Sequence, residues 1–317
     1  MGSVKHLILP RALSRGATVG ICSPSGPVCR DKLEAAAPAL EKRGHSVVLS
    51  PTVFDRIGYL AGNDEDRLAA LYDMFERRNV DAVFASRGGY GASRILARVD
   101  CSRIAASRKP FVGFSDLTAL QWLLFARDKF VTFSGPLAVE WAGGVAQESL
   151  EFLLRLLSGD ISGNLLHGFP TDGLKVLRSG RCEGTLLPGN LTLIASLSGT
   201  PFLPALEGSI LVLEEVGEPR YRLDRLLFHL RNAGVFERIS GLLIGDMTHG
   251  APNEEEVPSL EEIVLDATAG FDFPILFGIP YGHGAVRVTL PVGVRVRLDA
   301  EKGELSLLEP VVEEKSA

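Results

Sequence analysis

The chain is poor in cysteine and tryptophan and has no long apolar run, and each shortage closes off a class of protein. Its four cysteines, Cys22, Cys29, Cys101 and Cys182, form no Cys-x-x-Cys pair and show no spacing with histidine that suits zinc. This points to free thiols in a reducing compartment and to no metal. Before Pro10 the N-terminus offers only Leu7-Ile8-Leu9, too short for the apolar core of a signal peptide, and no later stretch approaches a membrane span. A cytoplasmic protein without a membrane partner is expected. Basic residues never gather into a run, and the net charge is −6, so no nucleic-acid partner is expected either. The glycine-rich turns lack the spacing of a dinucleotide fingerprint or a phosphate loop, and no cofactor is indicated.

What is present is a chain of 317 residues, 46% hydrophobic, long enough to bury a substantial core and to form two domains. Small molecules or peptides fit such a surface as substrates. Thr18 to Cys22 reads as a buried strand, Ser23 to Pro27 as a turn, Asp31 to Arg43 as a helix and Ser46 to Ser50 as a second strand, giving a first β-α-β unit. Asn63 to Arg78 reads as a helix capped by Asn63 or Asp64, and Asp81 to Ala85 as a strand. Directly after that strand comes Ser86-Arg87-Gly88-Gly89-Tyr90-Gly91, followed by a helix from Ala92 to Ala97. Glycines there let the backbone approach a ligand and aim N–H groups at an anion or oxyanion, although a tight strand-to-helix connection needs glycine as well.

The stretch Lys109-Pro110-Phe111-Val112-Gly113-Phe114-Ser115-Asp116 then runs straight into an amphipathic segment, Leu117 to Phe125. With no loop between strand and helix, Ser115 must occupy the turn itself, as a nucleophile does at a strand-turn-helix elbow. Leu117 stands where a Gly-x-Ser-x-Gly pattern has glycine. Taken alone, the residues favour Ser115 serving as a helix cap, with Asp116 in the first turn. Phe130 to Ser134 reads as a fifth strand. Alternating strands and helices up to about residue 135 predict a parallel, helix-covered sheet of the Rossmann or flavodoxin-like kind, with its ligand site at the carboxyl ends of the strands.

Residues 136 to 180 read as a crossover containing a helix from Gln147 to Leu157. Beyond it come a short helix at Asn190 to Leu197, an apolar strand from Ser209 to Val216, a helix from Tyr221 to Asn232, a strand from Leu242 to Asp246 and a helix from Ser259 to Ala269. Pro274 to Ile279 leads into Pro280-Tyr281-Gly282-His283-Gly284, and Val288 to Leu308 reads as strands with a turn at Glu301-Lys302-Gly303. The fold class is therefore α/β. An N-terminal parallel-sheet domain (1–160) carries the elbow, 161–174 is a linker, and a mixed, strand-rich α/β domain occupies 175–317.

A serine at an elbow needs a base, and the base an orienting carboxylate. Of the six histidines, His6 and His45 sit before or between early elements, His167 lies in the crossover and His229 falls mid-helix. His249 and His283 both follow strands, and spacing does not choose between them. Glu214, Glu215 and Glu218 cluster at another strand end. Side chains alternate along Ile210 to Glu215, so only one of Glu214 and Glu215 can face a given histidine, but both faces are apolar and geometry leaves the choice open. A carboxylate in this place could also pair with Arg222 or Arg225 on the next helix.

The segments Arg87-Gly88-Gly89-Tyr90-Gly91, Gly113-Phe114-Ser115-Asp116, Gly189-Asn190-Leu191-Thr192, Leu213-Glu214-Glu215-Val216-Gly217-Glu218-Pro219 with Tyr221-Arg222, and Gly282-His283-Gly284, in that order, together resemble the LD-carboxypeptidase family of serine peptidases, the muramoyltetrapeptide carboxypeptidases. One position departs: Glu215 stands where the family's pattern has Asp. The resemblance implies a two-domain, metal-independent enzyme, a homodimer. Its serine, glutamate and histidine carry over to Ser115, Glu214 and His283. It implies release of the terminal D-alanine from murein tetrapeptides during cytoplasmic cell-wall recycling. The backbone N–H groups of Gly89 and Asp116 would then receive the oxyanion, with Arg87 and Gly88 at the substrate. Two other readings compete. Amidases related to microcin immunity proteins cleave a peptidyl-nucleotide antibiotic and need an aromatic shelf, which neither Trp122, inside the elbow helix, nor Trp141 offers in the sequence. A non-catalytic module binding small peptides would keep its ligand without the Ser115 hydroxyl.

Overall fold

Residues 6–248 and 258–313 are described by the computed structural model of the chain. The first half contains β1 (Thr18–Cys22), α1 (Arg30–Glu41), β2 (Ser46–Leu49), α2 (Asp64–Glu76), β3 (Ala82–Ala85), α3 (Ala92–Ile95), α4 (Cys101–Ser107), β4 (Phe111–Gly113), α5 (Thr118–Asp128), β5 (Thr132–Ser134) and α6 (Gln147–Leu157). Its strands run β2-β1-β3-β4-β5 across the sheet, all parallel. This is the flavodoxin-like order, whose connections diverge between β1 and β3 and open a crevice at their carboxyl ends. The loops Ser23–Pro27 and Ser86–Gly91 leave the sheet on either side of that crevice. Strands β3 and β4 are buried along their whole length, as expected of strands covered on both faces.

The second half contains β6 (Lys175–Arg178), β7 (Arg181–Asn190), α7 (Leu191–Leu197), β8 (Ser209–Val216), α8 (Arg220–Asn232), β9 (Ile239–Thr248), α9 (Leu260–Ala267), β10 (Ile275–Phe277), β11 (Leu290–Val292), β12 (Arg295–Asp299) and β13 (Glu304–Leu307). Its sheet has the order β13-β12-β7-β8-β9-β10-β6, with β7 to β10 parallel and the flanking strands antiparallel. The α/β class with a second, mixed sheet is thus the observed one. Two helix starts are fixed by side chains: Asn63 accepts a hydrogen bond from Asp66 N at the head of α2, and Ser259 and Glu262 form a reciprocal box at the head of α9.

Several features go beyond the sequence reading, each for a reason visible in the fold. Helix α4 went unread because seven residues are too few to show a period; Asp100 caps it. Strand β7 carries Gly184, Pro188 and Gly189, which look like breakers, yet it lies in the middle of its sheet. Its glycines are there for space: a Cβ on Gly184 would lie 2.2 Å from the Gly208 carbonyl oxygen, and one on Gly189 2.3 Å from Thr118. Strand β11 pairs antiparallel with β5, so the stretch 175–317 lends a strand to the first sheet. The stretch 161–174, read as a linker, buries Leu165 and Leu166 and bonds from Leu165 N to Leu305 O.

The two sheets meet through α5. Trp122 is wholly buried and donates from Nε1 to the Pro188 carbonyl at 2.9 Å, while Thr118 Oγ1 accepts from Asn190 N at 3.1 Å. The helix that starts at the serine turn therefore seats itself on the carboxyl end of β7. Sites at the ends of β4 and β8 are brought face to face.

Candidate active site

Ser115 sits where the strand β4 gives way to helix, and its backbone is strained. Phe114 is extended, and Ser115 then adopts φ +60° before a short 3-10 turn, Ser115–Leu117, leads into α5. The other non-glycine residues with positive φ among the described residues, Arg108 and Lys129, each end a helix in the left-handed conformation, where such geometry closes the last turn. Ser115 opens one. A left-handed L-residue costs about 1–2 kcal/mol, and at a strand-to-helix turn that strain lifts the hydroxyl above the sheet edge. The N-cap of the 3-10 turn is Phe114 and that of α5 is Leu117, so Ser115 caps neither. Gly113 permits the sharp turn: a Cβ there would lie 2.7 Å from Leu117 Cβ.

The turn is braced from below by its neighbour. Asp116 is 1% exposed and accepts from Ser25 Oγ and from Ala92 N at 2.8 Å, so one carboxylate ties the loop after β1 to the helix after the glycine loop. Burial pushes its pKa above the ordinary aspartate value, and these hydrogen bonds pull the other way. Arg67, also buried, donates from Nη1 to the Pro24 carbonyl at 2.6 Å and to the Gly91 carbonyl at 2.9 Å. The glycine loop is thereby pressed against Ser115. A Cβ on Gly88 would stand 3.0 Å from Ser115 Cβ and 3.2 Å from its Oγ, and Gly89 needs φ +102°. Arg87 is exposed and donates to the Pro27 carbonyl at 3.2 Å.

From the other sheet, β8 delivers Glu214 and Glu215 to opposite sides, and their partners differ. Glu214 Oε2 lies 2.7 Å from His283 Nδ1. Glu215 accepts from Asn190 Nδ2 at 2.9 Å and from Thr192 N at 2.8 Å, which makes it a brace for the start of α7. Glu218 pairs with Arg222 at 3.1 Å, one helical turn on. Glu214 is fully buried, and burial raises its pKa while the His283 imidazole opposes the rise. Its Oε1 is buried with no partner among the described residues.

His283 rides on a loop after β10 whose base is closed by a bond from Val288 N to Pro280 O at 2.6 Å and by one from Asp246 N to Tyr281 O at 2.7 Å. Its imidazole centroid is 4.9 Å from that of Phe114, the residue immediately before Ser115. Tyr281, fully buried, packs edge-on to the same ring at 5.6 Å and exchanges a hydrogen bond with Ser134 Oγ at 2.7 Å. The serine turn, the glycine loop, Glu214 and His283 are thus gathered in one place. An imidazole with one ring nitrogen held by a buried carboxylate packs on the residue next to the serine turn, and these are the group types that nucleophilic acyl transfer uses.

The remaining candidates lie elsewhere. His45 Nδ1 contacts the Ala17 carbonyl at 3.3 Å, His229 is in α8, and His249 lies outside the described residues. Trp122 is at the sheet-sheet contact and Trp141 is 5% exposed, packed edge-on to Phe84, so neither tryptophan presents a face to a ligand. No cluster of His, Cys, Asp or Glu among the described residues could hold a metal ion, and none of their helices is long and apolar enough to cross a membrane. The sequence reading passed over Ser25, Arg67, Glu140 and Arg287. Each is remote in the chain from what it holds, and none belongs to a motif that would have drawn attention to it.

Comparison with known proteins agrees across the chain. Residues 19–135 match the LD-carboxypeptidase N-terminal domain and residues 183–298 the LD-carboxypeptidase C-terminal domain. The murein tetrapeptide carboxypeptidase of Pseudomonas aeruginosa is 36% identical over 290 residues, 90% of this chain and 94% of that protein. The crystal structure of muramoyltetrapeptide carboxypeptidase from Oxalobacter formigenes superimposes with a TM-score of 0.77 at 28% identity, covering 92% of this chain and 98% of that one. A more distant relative, the microcin C7 self-immunity protein of Escherichia coli, is 24% identical over 335 residues, 96% of each chain.

Proposed function

The chain belongs to the LD-carboxypeptidase family, and from that premise we propose that it is a serine carboxypeptidase that releases the terminal D-alanine from murein tetrapeptides. The observation that carries this reading is the 2.7 Å bond between buried Glu214 and His283, with the imidazole packed on Phe114, next to a serine strained to φ +60°. In this reading the nucleophile lies in a domain at 1–160 and its partners in a domain at 175–317.

Glu214 accepts the Nδ1–H of His283, which leaves Nε2 as the base. Ser115 Oγ gives its proton to Nε2 as it attacks the scissile carbonyl. The backbone N–H groups of Gly89 and Asp116 take up the oxyanion; losing one such donor costs on the order of 100- to 1,000-fold in rate. The imidazolium then returns the proton to the leaving D-alanine amine, and water, activated in the same way, releases the acyl group from Ser115. Arg87, beside Gly88 at the mouth of the glycine loop, takes the terminal carboxylate. A cytoplasmic homodimer acting in cell-wall recycling completes the reading.

Mass spectrometry of purified murein tripeptide, tetrapeptide and pentapeptide after incubation with the protein tests it. The expected result is loss of one alanine from the tetrapeptide by the native chain and none by Ser115→Ala. Cleavage of a peptidyl-nucleotide with no action on the tetrapeptide would instead place the chain with the immunity-type amidases, and tight tetrapeptide binding without turnover would make it a binding module.

A further inference from the structure

We propose that Arg287 and Glu140 are positioning residues that set the imidazole of His283 against the Ser115 turn. The proposal rests on the reading of Ser115 and His283 as nucleophile and base.

The loop that carries His283 has little of its own to hold it in place. Gly282 adopts φ +155° and Gly284 has no side chain, so the histidine sits between two residues that resist nothing. Beyond the loop's closed base, two hydrogen-bonded contacts flank the histidine itself. One is the bond from His283 to Glu214. The other is the Gly284 carbonyl, which accepts from Arg287 Nη2 at 3.2 Å and from Nε at 3.4 Å.

Arg287 is itself fixed from the other half of the molecule. Its side chain is 1% exposed and forms a two-pronged pair with Glu140, Nη1 to Oε2 at 3.0 Å and Nη2 to Oε1 at 2.8 Å. Glu140 ends the short 3-10 turn Ala138–Glu140 after β5, and its Oε2 also accepts from Leu137 N at 2.8 Å. The same segment bonds to the glycine loop, Val139 N to Ser86 O at 3.0 Å, and to the histidine loop, Ala146 N to Ala285 O at 2.8 Å. The Arg287 backbone N–H donates to Ser149 Oγ at 2.8 Å. The segment 137–149 therefore strings the glycine loop and the histidine loop onto one frame, and the Arg287–Glu140 pair is its side-chain knot.

The guanidinium also reaches the nucleophile's side. Its central carbon lies 4.9 Å from the centroid of the Phe114 ring, and His283 and Tyr281 contact that ring too. Phe114 is thus a shared backstop for the cation and the imidazole, and the next residue is Ser115. A surface ion pair would carry no such weight. A bidentate pair between a buried arginine and a half-buried carboxylate is directional, and lysine cannot reproduce the fork.

The test compares the full chain with Glu140→Gln and Arg287→Lys by two readouts. On murein tetrapeptide, kcat is expected to fall about 10- to 100-fold, the scale of an ångström-level misplacement, with KM within about twofold. In 15N-histidine-labelled protein, the Nδ1–H resonance of His283, identified by its loss in His283→Gln, is expected to shift or broaden in both variants. Cooperative thermal unfolding is recorded alongside. Folded variants with wild-type kcat and an unmoved resonance would overturn the proposal, as would a kcat loss that only tracks the folded fraction while the resonance stays put. If Arg287→Lys does not fold, Glu140→Gln, which keeps the shape, decides alone. Should the native chain leave the tetrapeptide intact, the functional reading fails, and the resonance still decides whether the pair positions His283.

Discussion

His283 Nδ1 lies 2.7 Å from Glu214 Oε2, whereas Glu215, the next residue, faces the other way and holds Asn190 and Thr192. Adjacent glutamates on one strand thus have separate tasks because side chains alternate across it. Glu214→Gln is expected to lower kcat by three to four orders of magnitude (~10³–10⁴), as loss of an orienting carboxylate does in other triads. Glu215→Gln puts an amide against the Thr192 N–H or the Asn190 amide and is expected to cost about 1–3 kcal/mol of stability with kcat within about tenfold. Steady-state kinetics and denaturant unfolding on the two variants check this; the reverse pattern would reassign the pair.

The strain at Ser115 has a separate signature. Ser115→Ala is expected to abolish D-alanine release with stability unchanged to about 0.5 kcal/mol, since alanine keeps the same unfavourable backbone. Ser115→Gly, equally inactive, is expected to be more stable than the native chain by about 1 kcal/mol, because glycine adopts φ +60° without penalty. A glycine variant less stable than the alanine variant would show that the turn is not strained.

The pH dependence follows from the raised pKa of buried Glu214. A carboxyl whose folded pKa lies above its unfolded one contributes stability that is full below the ordinary glutamate pKa and lost as pH rises through the folded value. Where Glu214 is ionised its charge therefore costs stability, and Glu214→Gln is expected to melt about 1–3 °C above the native chain at the alkaline end, with the gap closing on acidification. Activity runs the opposite way, since the orienting charge is lost as pH falls through the same value. Melting curves and kcat/KM from pH 4 to 8 test both signs.

Asp116 is a brace whose removal should be felt at the glycine loop. Asp116→Ala leaves Ser25 Oγ and Ala92 N without their shared acceptor and is expected to cost about 2–4 kcal/mol, with kcat lower by at least about tenfold because the N–H of residue 116 and the glycine loop both lose their support. Urea unfolding with parallel kinetics checks it; a fully active, fully stable variant would remove Asp116 from the framework.

Apart from the short α4, the strands and helices from β1 to β5 were legible because each buries an apolar run or a helical face of its own, and Gly113-Phe114-Ser115-Asp116 was legible because the elbow is a local event. In the second half the strand β8 was readable from Ser209 to Val216, yet β7 was not. Gly184, Pro188 and Gly189 look like loop residues until Gly208 and Thr118 stand beside them, and those neighbours are distant in sequence.

The residues by themselves determined which atoms could do chemistry here: a hydroxyl in a tight turn, a pair of carboxylates at a strand end, and histidines in glycine-flanked loops. Only the tertiary structure decided that Glu214 and not Glu215 meets His283, that Asp116 and Arg67 hold the loops around Ser115, and that Glu140 clasps Arg287 across 147 positions of chain. Backbone conformation is set within a few residues and can be read there. A hydrogen bond between remote side chains depends on how two sheets twist and dock, which no short stretch of sequence records.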